Sequence, residues 1–252
     1  MEVTVRQPAT AGTFYPSDKK ELEDMIAGFF AEVPTFDNPH PPKALIVPHA
    51  GYIYSGQVAA YAYARVRGHH YSKIVLLGPS HYVYLRGVVA SPHQVWRTPL
   101  GDVPTLKNGF EANALAHLNE HCLEVQLPFL QYTLKDFKIL PLVIGDSNAY
   151  PISNEIRRLL DKDTLLIISS DLSHYHSYPE AEALDKASIK AIKSLDDKSS
   201  VEACGKFPIR ILVSLAKTLS WKPEVLIYKN SGDVTKDKTR VVGYASLAFY
   251  AK

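Results

Sequence analysis

Side chains that bind metals or move protons follow five apolar runs of this sequence. The residues in question are His49, His81, Asp146, Asp171 and Asp233. Short runs of valine, isoleucine and leucine without polar alternation are typical of strands buried on both faces of a sheet. In open α/β sheets, ligands bind beyond the carboxyl ends of such strands. The pattern therefore predicts one shared site built from several strand ends.

His49 and His81 are the best candidates for metal ligands, because each ends a strong strand pattern. Imidazole suits zinc, iron, copper and nickel, and a third ligand would set the identity of the metal. A single histidine at a strand end is more often a structural hydrogen-bonding group, so the hypothesis rests on there being two. Asp233 could complete a site of two histidines and one carboxylate, although Ser231-Gly-Asp233 is also an ordinary turn composition.

A carboxylate and an imidazole also lie close together in the segment Asp171-Leu-Ser-His174. Asp171 could bind a metal, orient a ligand, or serve as the partner of an acid-base histidine. The alternative is that Asp171 caps the following turn through its side chain. The nearness of His174 favours a catalytic role for both residues.

The most polar short cluster of the chain begins at His117. Its pattern His117-x-x-Glu120-His121 matches that of inverted zincins, in which two histidines share one helix face and a glutamate acts as base. Three matching residues arise easily by chance, and Asn119 is a candidate helix break. We therefore favour Glu120, His121 and Glu124 facing the strand-end site, and keep zinc hydrolysis as a lower-ranked hypothesis.

Strand patterns alternate with helical patterns of about ten to fifteen residues along the chain. This alternation predicts an α/β fold, with a mostly parallel central sheet and helices on both faces, in a single domain over residues 1–252. Helices are predicted near residues 18–32, 55–67, 108–118, 123–134 and 208–219. Neither G-x-G-x-x-G nor G-x-x-x-x-G-K-[ST] occurs, which argues against a nucleotide site.

Composition and charge argue against several classes of partner. The 252 residues include 28 basic and 26 acidic side chains, scattered to a net charge of +2, which does not favour nucleic acid binding. No apolar run approaches the roughly 20 residues of a membrane span, and the first residues lack the pattern of a secretory leader. Cys122 and Cys204 are too few for a disulfide framework and fit a reducing compartment. We expect a soluble, cytoplasmic protein.

Long ordered blocks, spread over nearly the whole chain, allow a comparison with known families. They are Arg6-Gln-Pro-Ala-Thr-Ala-Gly-Thr-Phe-Tyr-Pro16, Val47-Pro-His-Ala-Gly-Tyr-Ile-Tyr-Ser-Gly56, Leu77-Gly-Pro-Ser-His81, Thr98-Pro-Leu-Gly101, Glu120-His-Cys-Leu-Glu-Val-Gln-Leu-Pro-Phe129, Ser169-Ser-Asp-Leu-Ser-His174, Cys204-Gly205 and Ser231-Gly-Asp-Val234. Together these blocks resemble the Memo family in its archaeal and bacterial form.

The resemblance implies a fold similar to that of class III extradiol dioxygenases, which are non-haem iron enzymes. It implies that His49 and His81 bind the metal. Animal members are described with a cysteine as a further ligand, placed by the resemblance at residues 231–234, where this chain has none and Asp233 is the predicted substitute. The predicted pocket residues are Asp171, His174, Glu120, His121, Tyr54, Glu124 and Cys204.

Three functional hypotheses follow from the residues and the resemblance. In the first, a divalent metal, with Fe(II) ahead of zinc or copper, supports dioxygenase-like or redox chemistry on a small molecule. His174 or His121 would remove a proton, oriented by Asp171 or Glu120. In the second, the same pocket binds a peptide or phosphopeptide without catalysis. The third is the zinc hydrolase described above.

Overall fold

The structure is a computed structural model that describes residues 3–36 and 40–251. The strands are β1 Val5–Arg6, β2 Ala44–Val47, β3 Lys73–Pro79, β4 Val88–Ala90, β5 Val95–Thr98, β6 Gly101–Pro104, β7 Lys138–Ile144, β8 Thr164–Ser169, β9 His174–His176, β10 Lys222–Asn230 and β11 Val241–Tyr250. The helices are α1 Lys19–Ala31, α2 Tyr52–Ala64, α3 Ala114–Leu118, α4 Leu127–Thr133, α5 Ala149–Arg157, α6 Tyr178–Lys193, α7 Lys206–Thr218 and α8 Ser231–Thr235.

The larger sheet of the described residues has eight strands, in the order β10-β11-β2-β8-β3-β7-β4, with β9 paired to β11. The central strands β2, β8, β3 and β7 run parallel, whereas β11 and β4 flank them antiparallel. β10 and β11 are joined through the short α8, and such a connection is too short for a parallel crossover. The predicted α/β fold is confirmed, with a sheet that is mixed at its edges.

Helices cover both faces of this sheet because alternate residues of each strand point to opposite sides. Leu45 and Val47 of β2 pack into a core shared with α1, α2 and α4. Ala44 and Ile46 of the same strand pack into a second core with α5 and α7. Burial on both sides explains why the central strands are continuous apolar runs in the sequence.

The chain order of the strands places the candidate residues side by side. After β2 the chain crosses through α2 to β3, and β8 later enters the sheet between these two strands. The three strands are parallel, so their carboxyl ends lie at one edge. His49, Asp171 and His81 follow these ends, and the reversal of strand order here is the usual location of a ligand site in open α/β sheets.

Two elements differ from the sequence prediction near the site. The helix predicted over 108–118 begins only at Ala114, because the Asn113 side chain accepts a hydrogen bond from the N–H of Ala116 and caps α3 there. The turn predicted at 231–233 is the short helix α8, capped reciprocally by Asn230 and Asp233.

Within the described residues, no helix combines the length and apolarity required to cross a bilayer.

Glu124 is a buried structural group and does not line the site, which corrects its predicted pocket role. Its Oε2 lies 2.6 Å from Nη1 of Arg6, and both side chains are almost unexposed. The backbone N–H groups of Ala9 and Thr10 and the hydroxyl of Tyr15 donate to the same carboxylate. These donors occupy the carboxylate, so Glu124 ties the N-terminal segment to the middle of the chain.

Arg6 also binds the backbone of residues 117–120, the segment that leads into the site. Its guanidinium donates to the backbone carbonyls of His117 at 2.7 Å and Glu120 at 2.8 Å. The same group stacks over the Trp96 ring, 4.1 Å from its centroid. Arg6 thereby fixes the backbone that presents Glu120 and the following His121.

Gly78 of β3 allows this segment to lie directly on the sheet. A methyl group on Gly78 would overlap Cys122 Sγ and come within 2.8 Å of Leu123. Both of those side chains are fully buried, so neither can move aside into solvent. The absent side chain at Gly78 thus sets how closely Glu120 and His121 approach the end of β3.

We predict that Gly78→Ala destabilises the protein by about 1–3 kcal/mol, as expected for overpacking of a core. The matched control is Gly28→Ala in α1, where an added methyl meets nothing within 4 Å. Gly28→Ala is expected to stabilise by roughly 0.5–1 kcal/mol, because alanine loses less conformational freedom in a helix. Urea unfolding measures both, and a Gly78→Ala variant as stable as the parent would contradict this account.

We predict that Glu124→Gln lowers stability by about 3–5 kcal/mol, because it leaves the buried Arg6 charge unpaired. Burial alone would raise the pKa of Glu124, but Arg6 and the hydrogen bonds outweigh it and hold the pKa below 4.5. This stability is therefore complete above about pH 4.5 and is lost as the pH falls further. Unfolding measured across acidic pH should show a shallower decline in the variant.

The control is Asp24→Asn, which breaks the exposed Lys20–Asp24 pair. An exposed pair contributes at most about 1 kcal/mol, so this variant should unfold nearly as the parent does. Equal losses in both variants would show that the Arg6–Glu124 pair has no special role.

Candidate metal centre

Three imidazole rings meet at the carboxyl ends of β2 and β3. The ring centroids of His49 and His81 are 5.2 Å apart. The His121 ring lies 4.7 Å from that of His81 and 5.3 Å from that of His49. The structure thus brings the two histidines predicted as metal ligands together with one predicted as an acid-base residue.

His49 is buried, with 2% of its surface exposed. Its backbone N–H donates to Asp171 Oδ1 at 2.7 Å, which fixes the residue at the end of β2. Its ring nitrogen Nδ1 is 3.0 Å from Ser169 Oγ, and Nε2 is 3.2 Å from Cys204 Sγ. Burial and the nearby His81 lower the pKa of His49 to about 3, so the ring is neutral at pH 7, as a metal ligand must be.

Cys204 lies just before α7, and the fold brings it next to the carboxyl end of β8. Its Sγ accepts the N–H of Asp171 at 3.3 Å and faces Nε2 of His49. Burial, followed by the charge of Asp171, raises the pKa of the thiol to about 12. The group is therefore a thiol without a metal, and metal binding would displace its proton because the thiolate is the ligand.

His81 is held by the carboxylate of Glu120. Oε1 of Glu120 lies 2.9 Å from Nδ1 of His81, and Oε2 accepts the His81 backbone N–H at 2.8 Å. Burial would raise the pKa of Glu120, but these bonds outweigh it and lower the pKa to about 2. An ionised carboxylate only accepts, so in the neutral form of His81 the proton lies on Nδ1 and Nε2 keeps its lone pair. Glu120 therefore orients the His81 ring.

Two groups of donor atoms are close enough to share a metal ion. One donor atom from each of His49, His81 and Cys204 lies within 4.8 Å of the other two. A second group, meeting the same distance, consists of His81, Glu120 and His121. Since Glu120 is engaged by the His81 ring and by backbone N–H groups, the first group leaves more of its donor atoms free.

Asp233, the predicted third ligand, joins neither donor group among the described residues. Its Oδ1 accepts the hydroxyl of Tyr178 at 2.8 Å, and its Oδ2 accepts the backbone N–H of Asn230 at 3.0 Å. This carboxylate caps α8. In the candidate donor group, Cys204 accompanies His49 and His81 in place of Asp233.

Sequence reasoning placed Cys204 in the pocket but missed its position as a donor. The residue lies 33 positions after Asp171 and does not follow an apolar run, so the pattern of strand ends does not identify it. Its only local indication is the pair Cys204-Gly205 immediately before a helical pattern.

His174 and Asp171 do not form the predicted acid-base pair through a hydrogen bond. Nδ1 of His174 donates to the carbonyl of Leu172 at 2.8 Å, which leaves Nε2 as the free ring nitrogen. Asp171 instead accepts the backbone N–H of His49. Burial raises the pKa of Asp171, although the His49 bond and the charge of His174 oppose this. Asp171 mainly supports the backbone of a donor residue.

The zinc-hydrolase hypothesis lacks the continuous helix on which its pattern depends. It requires His117 and His121 on one helix, but α3 ends at Leu118 with Asn119 as its C-cap. Nε2 of His117 is 3.3 Å from the carbonyl of Val89, away from the other histidines. Of the two histidines in the matched pattern, only His121 lies in the three-ring cluster.

The open side of the site carries aromatic and imidazole groups. The His81 side chain is 27% exposed and that of His121 is 12% exposed, so both reach solvent. Tyr82 is exposed with its ring centroid 6.0 Å from that of His121. Tyr54 is 39% exposed, and its role in the pocket stays a prediction. Burial and the nearby His49 lower the pKa of His121 to about 4. A ligand would meet the neutral imidazole of His121 and the phenol of Tyr82 here.

Comparison with known proteins gives a consistent answer along the chain. A family model described as "Memo-like protein" matches residues 6–248. A MEMO1 family protein of Aquifex aeolicus is 39% identical, with 97% of this chain and 99% of that protein covered. MEMO1 family proteins of Thermoplasma volcanium and Methanobrevibacter smithii are 36% and 33% identical, and at least 96% of this chain and 97% of each relative are covered. The matched span includes every donor residue of the candidate site, and the chain belongs to the Memo family.

Proposed function

We propose that this Memo-family protein binds a divalent transition-metal ion, with iron as first choice, through His49, His81 and Cys204. The observation that carries the proposal is that one donor atom from each residue lies within 4.8 Å of the others. Nδ1 of each histidine is already hydrogen-bonded, so both rings offer Nε2. Such outer contacts are the usual accompaniment of metal-binding histidines.

The donor set favours a redox-active or borderline metal. Two imidazoles and a thiolate suit iron, copper or zinc better than magnesium or calcium, which prefer oxygen ligands. Iron is our first choice because the resemblance implies a fold shared with non-haem iron enzymes. When bound, the ion would supply one-electron redox chemistry and Lewis acidity toward an oxygen-bearing small molecule. We therefore propose a redox or dioxygenase-like activity.

The chain's own proton carriers would be His174 and His121. The proton on His174 Nδ1 is held by the Leu172 carbonyl, so Nε2 is the nitrogen that would accept a substrate proton. His121, with its pKa lowered to about 4, is neutral at pH 7 and also able to accept. We further propose a cytoplasmic location, because a free thiol ligand is maintained by a reducing compartment.

A second candidate function is binding of a peptide or phosphopeptide in the same pocket without catalysis. Exposed aromatic side chains support it, because amphipathic rings are enriched at binding surfaces. Tyr82 is 59% exposed and Tyr175 is 64% exposed, and both neighbour histidines of the site.

We predict that Cys204→Ser and the double variant His49→Ala/His81→Ala lose metal affinity by more than the roughly 10- to 100-fold caused by removing an outer hydrogen bond. Titration with Co(II) under anaerobic conditions measures this loss. The parent should show a thiolate-to-cobalt charge-transfer band, and Cys204→Ser should lack it. Iron content after purification without chelating resin provides the second measurement.

The matched control is Asp233→Asn, which keeps the side-chain shape but removes the carboxylate first predicted as ligand. Its cobalt spectrum and affinity should equal those of the parent. A charge-transfer band that survives Cys204→Ser, or full metal occupancy in the double histidine variant, would contradict the proposed ligand set.

We predict that chelation separates the two candidate functions. If the metal is required, binding of a catechol, used as a small oxygen-bearing probe, disappears after dialysis against a chelator and returns with Fe(II). Isothermal titration calorimetry follows this binding. A phosphotyrosine peptide that binds equally before and after chelation, while catechol binds in neither state, would favour the peptide module.

A further inference from the structure

We propose that Ser169 and Gln126 are positioning residues that hold His49 in the tautomer with its proton on Nδ1, so that Nε2 faces the metal. This inference rests on the proposed function for its consequence, although the tautomer itself is a property of the metal-free chain. It concerns His49 alone, because the other rings are fixed differently.

The orientation of the Gln126 amide is the first step. One side-chain atom lies 3.0 Å from the carbonyl of Pro48, and a carbonyl only accepts, so that atom is the nitrogen Nε2. The other amide atom, Oε1, accepts the hydroxyl of Tyr63 at 2.8 Å. The Gln126 amide therefore has one allowed orientation.

The hydroxyl of Ser169 is the second step. Nε2 of Gln126 donates to Ser169 Oγ at 2.8 Å. Ser169 has a single proton, and this proton goes to the carbonyl of Cys122, which only accepts. Toward its remaining neighbour, Nδ1 of His49 at 3.0 Å, Ser169 can therefore only accept.

The tautomer of His49 follows from these two steps. Nδ1 must carry the proton, and the neutral ring keeps its lone pair on Nε2, the nitrogen 3.2 Å from Cys204 Sγ. The four side chains Tyr63, Gln126, Ser169 and His49 are all at most 2% exposed, so bulk solvent does not compete for these hydrogen bonds. The opposite tautomer would place two lone pairs against each other in a buried site.

His49 differs in this respect from the other oriented rings. His81 faces a carboxylate and His174 faces a carbonyl, and both partners accept without any further condition. A hydroxyl can donate or accept, so Ser169 alone would leave the His49 tautomer open. The Gln126 amide removes that choice. Gln126 is buried and contacts none of the candidate metal-binding atoms, yet it has a defined role in orienting His49.

The first test is ¹⁵N NMR of the metal-free, full-length chain with labelled histidine. In a neutral ring the protonated nitrogen and the bare nitrogen have well separated shifts, so the tautomer of His49 is read directly. We expect the proton on Nδ1 in the parent and a mixture of tautomers in Gln126→Met, which retains shape but loses the donor. His49 protonated on Nε2 in the parent would overturn the inference.

The second test is metal affinity, again with Co(II). Ser169→Ala should weaken binding by roughly 10- to 100-fold, as for other outer hydrogen bonds of ligand histidines, and Ser169→Thr should restore it by keeping the hydroxyl. Ser246→Ala is the matched control, because Ser246 is also buried and donates to a carbonyl, that of Val58, in a pair without histidine. Equal affinity of Ser169→Ala and Ser246→Ala would overturn the positioning role.

The two tests separate this inference from the proposed function. A parent chain with Nδ1–H on His49 that binds neither Co(II) nor Fe(II) would refute the metal proposal while supporting the tautomer. A parent that binds metal with an unaffected Ser169→Ala variant would support the metal proposal and refute the positioning role.

Discussion

The insertion of β8 between β2 and β3 is the constraint on which the site depends. These parallel strands share hydrogen-bonded ladders, so their carboxyl ends cannot move apart without breaking the centre of the sheet. His49 and His81 come from the outer two strands, and Asp171 from the middle one supports the backbone of His49. The same middle strand ends in Ser169, and the residues before α7 return Cys204 to this point. The position of each candidate donor is therefore set by the end of β8 or by a strand paired with β8.

A half-buried thiol beside His49, in place of a carboxylate, changes the chemistry expected of the proposed site. Two histidines and a carboxylate are typical of non-haem iron oxygenases, whereas a thiolate is softer and donates more electron density. Cys204 holds its proton strongly in the metal-free chain, because burial penalises the thiolate. Binding of a metal ion by Cys204 would therefore release a proton, and the affinity would grow with pH until the thiol proton no longer competes. The neutral rings of His49 and His121 add no positive charge that would oppose the ion.

Polar contacts behind the donors give the site its geometry. The carboxylate of Glu120 forms hydrogen bonds with both the ring and the backbone N–H of His81, and the backbone carbonyl of Glu120 accepts a hydrogen bond from Arg6. Arg6 is in turn neutralised by Glu124, so a chain of buried charged groups runs from the N-terminal strand to the ring of a candidate ligand, His81. Buried ionic groups of this kind are poor sources of net stability compared with apolar packing. Their value here is that they orient a side chain, which apolar packing does less specifically.

The sequence by itself determined the α/β class, the strand ends and the pair His49 and His81, because burial on both faces leaves continuous apolar runs whose ends are visible locally. It could not determine which distant residue completes the donor set. Asp233 looked suitable by residue type, but its carboxylate is engaged by Tyr178 and Asn230, while Cys204 reaches His49 across 155 positions. Likewise Glu124 looked like part of a polar cluster, and only the approach of Arg6 made it structural. Contacts between residues far apart in the chain depend on strand order and helix packing, and no local pattern encodes them.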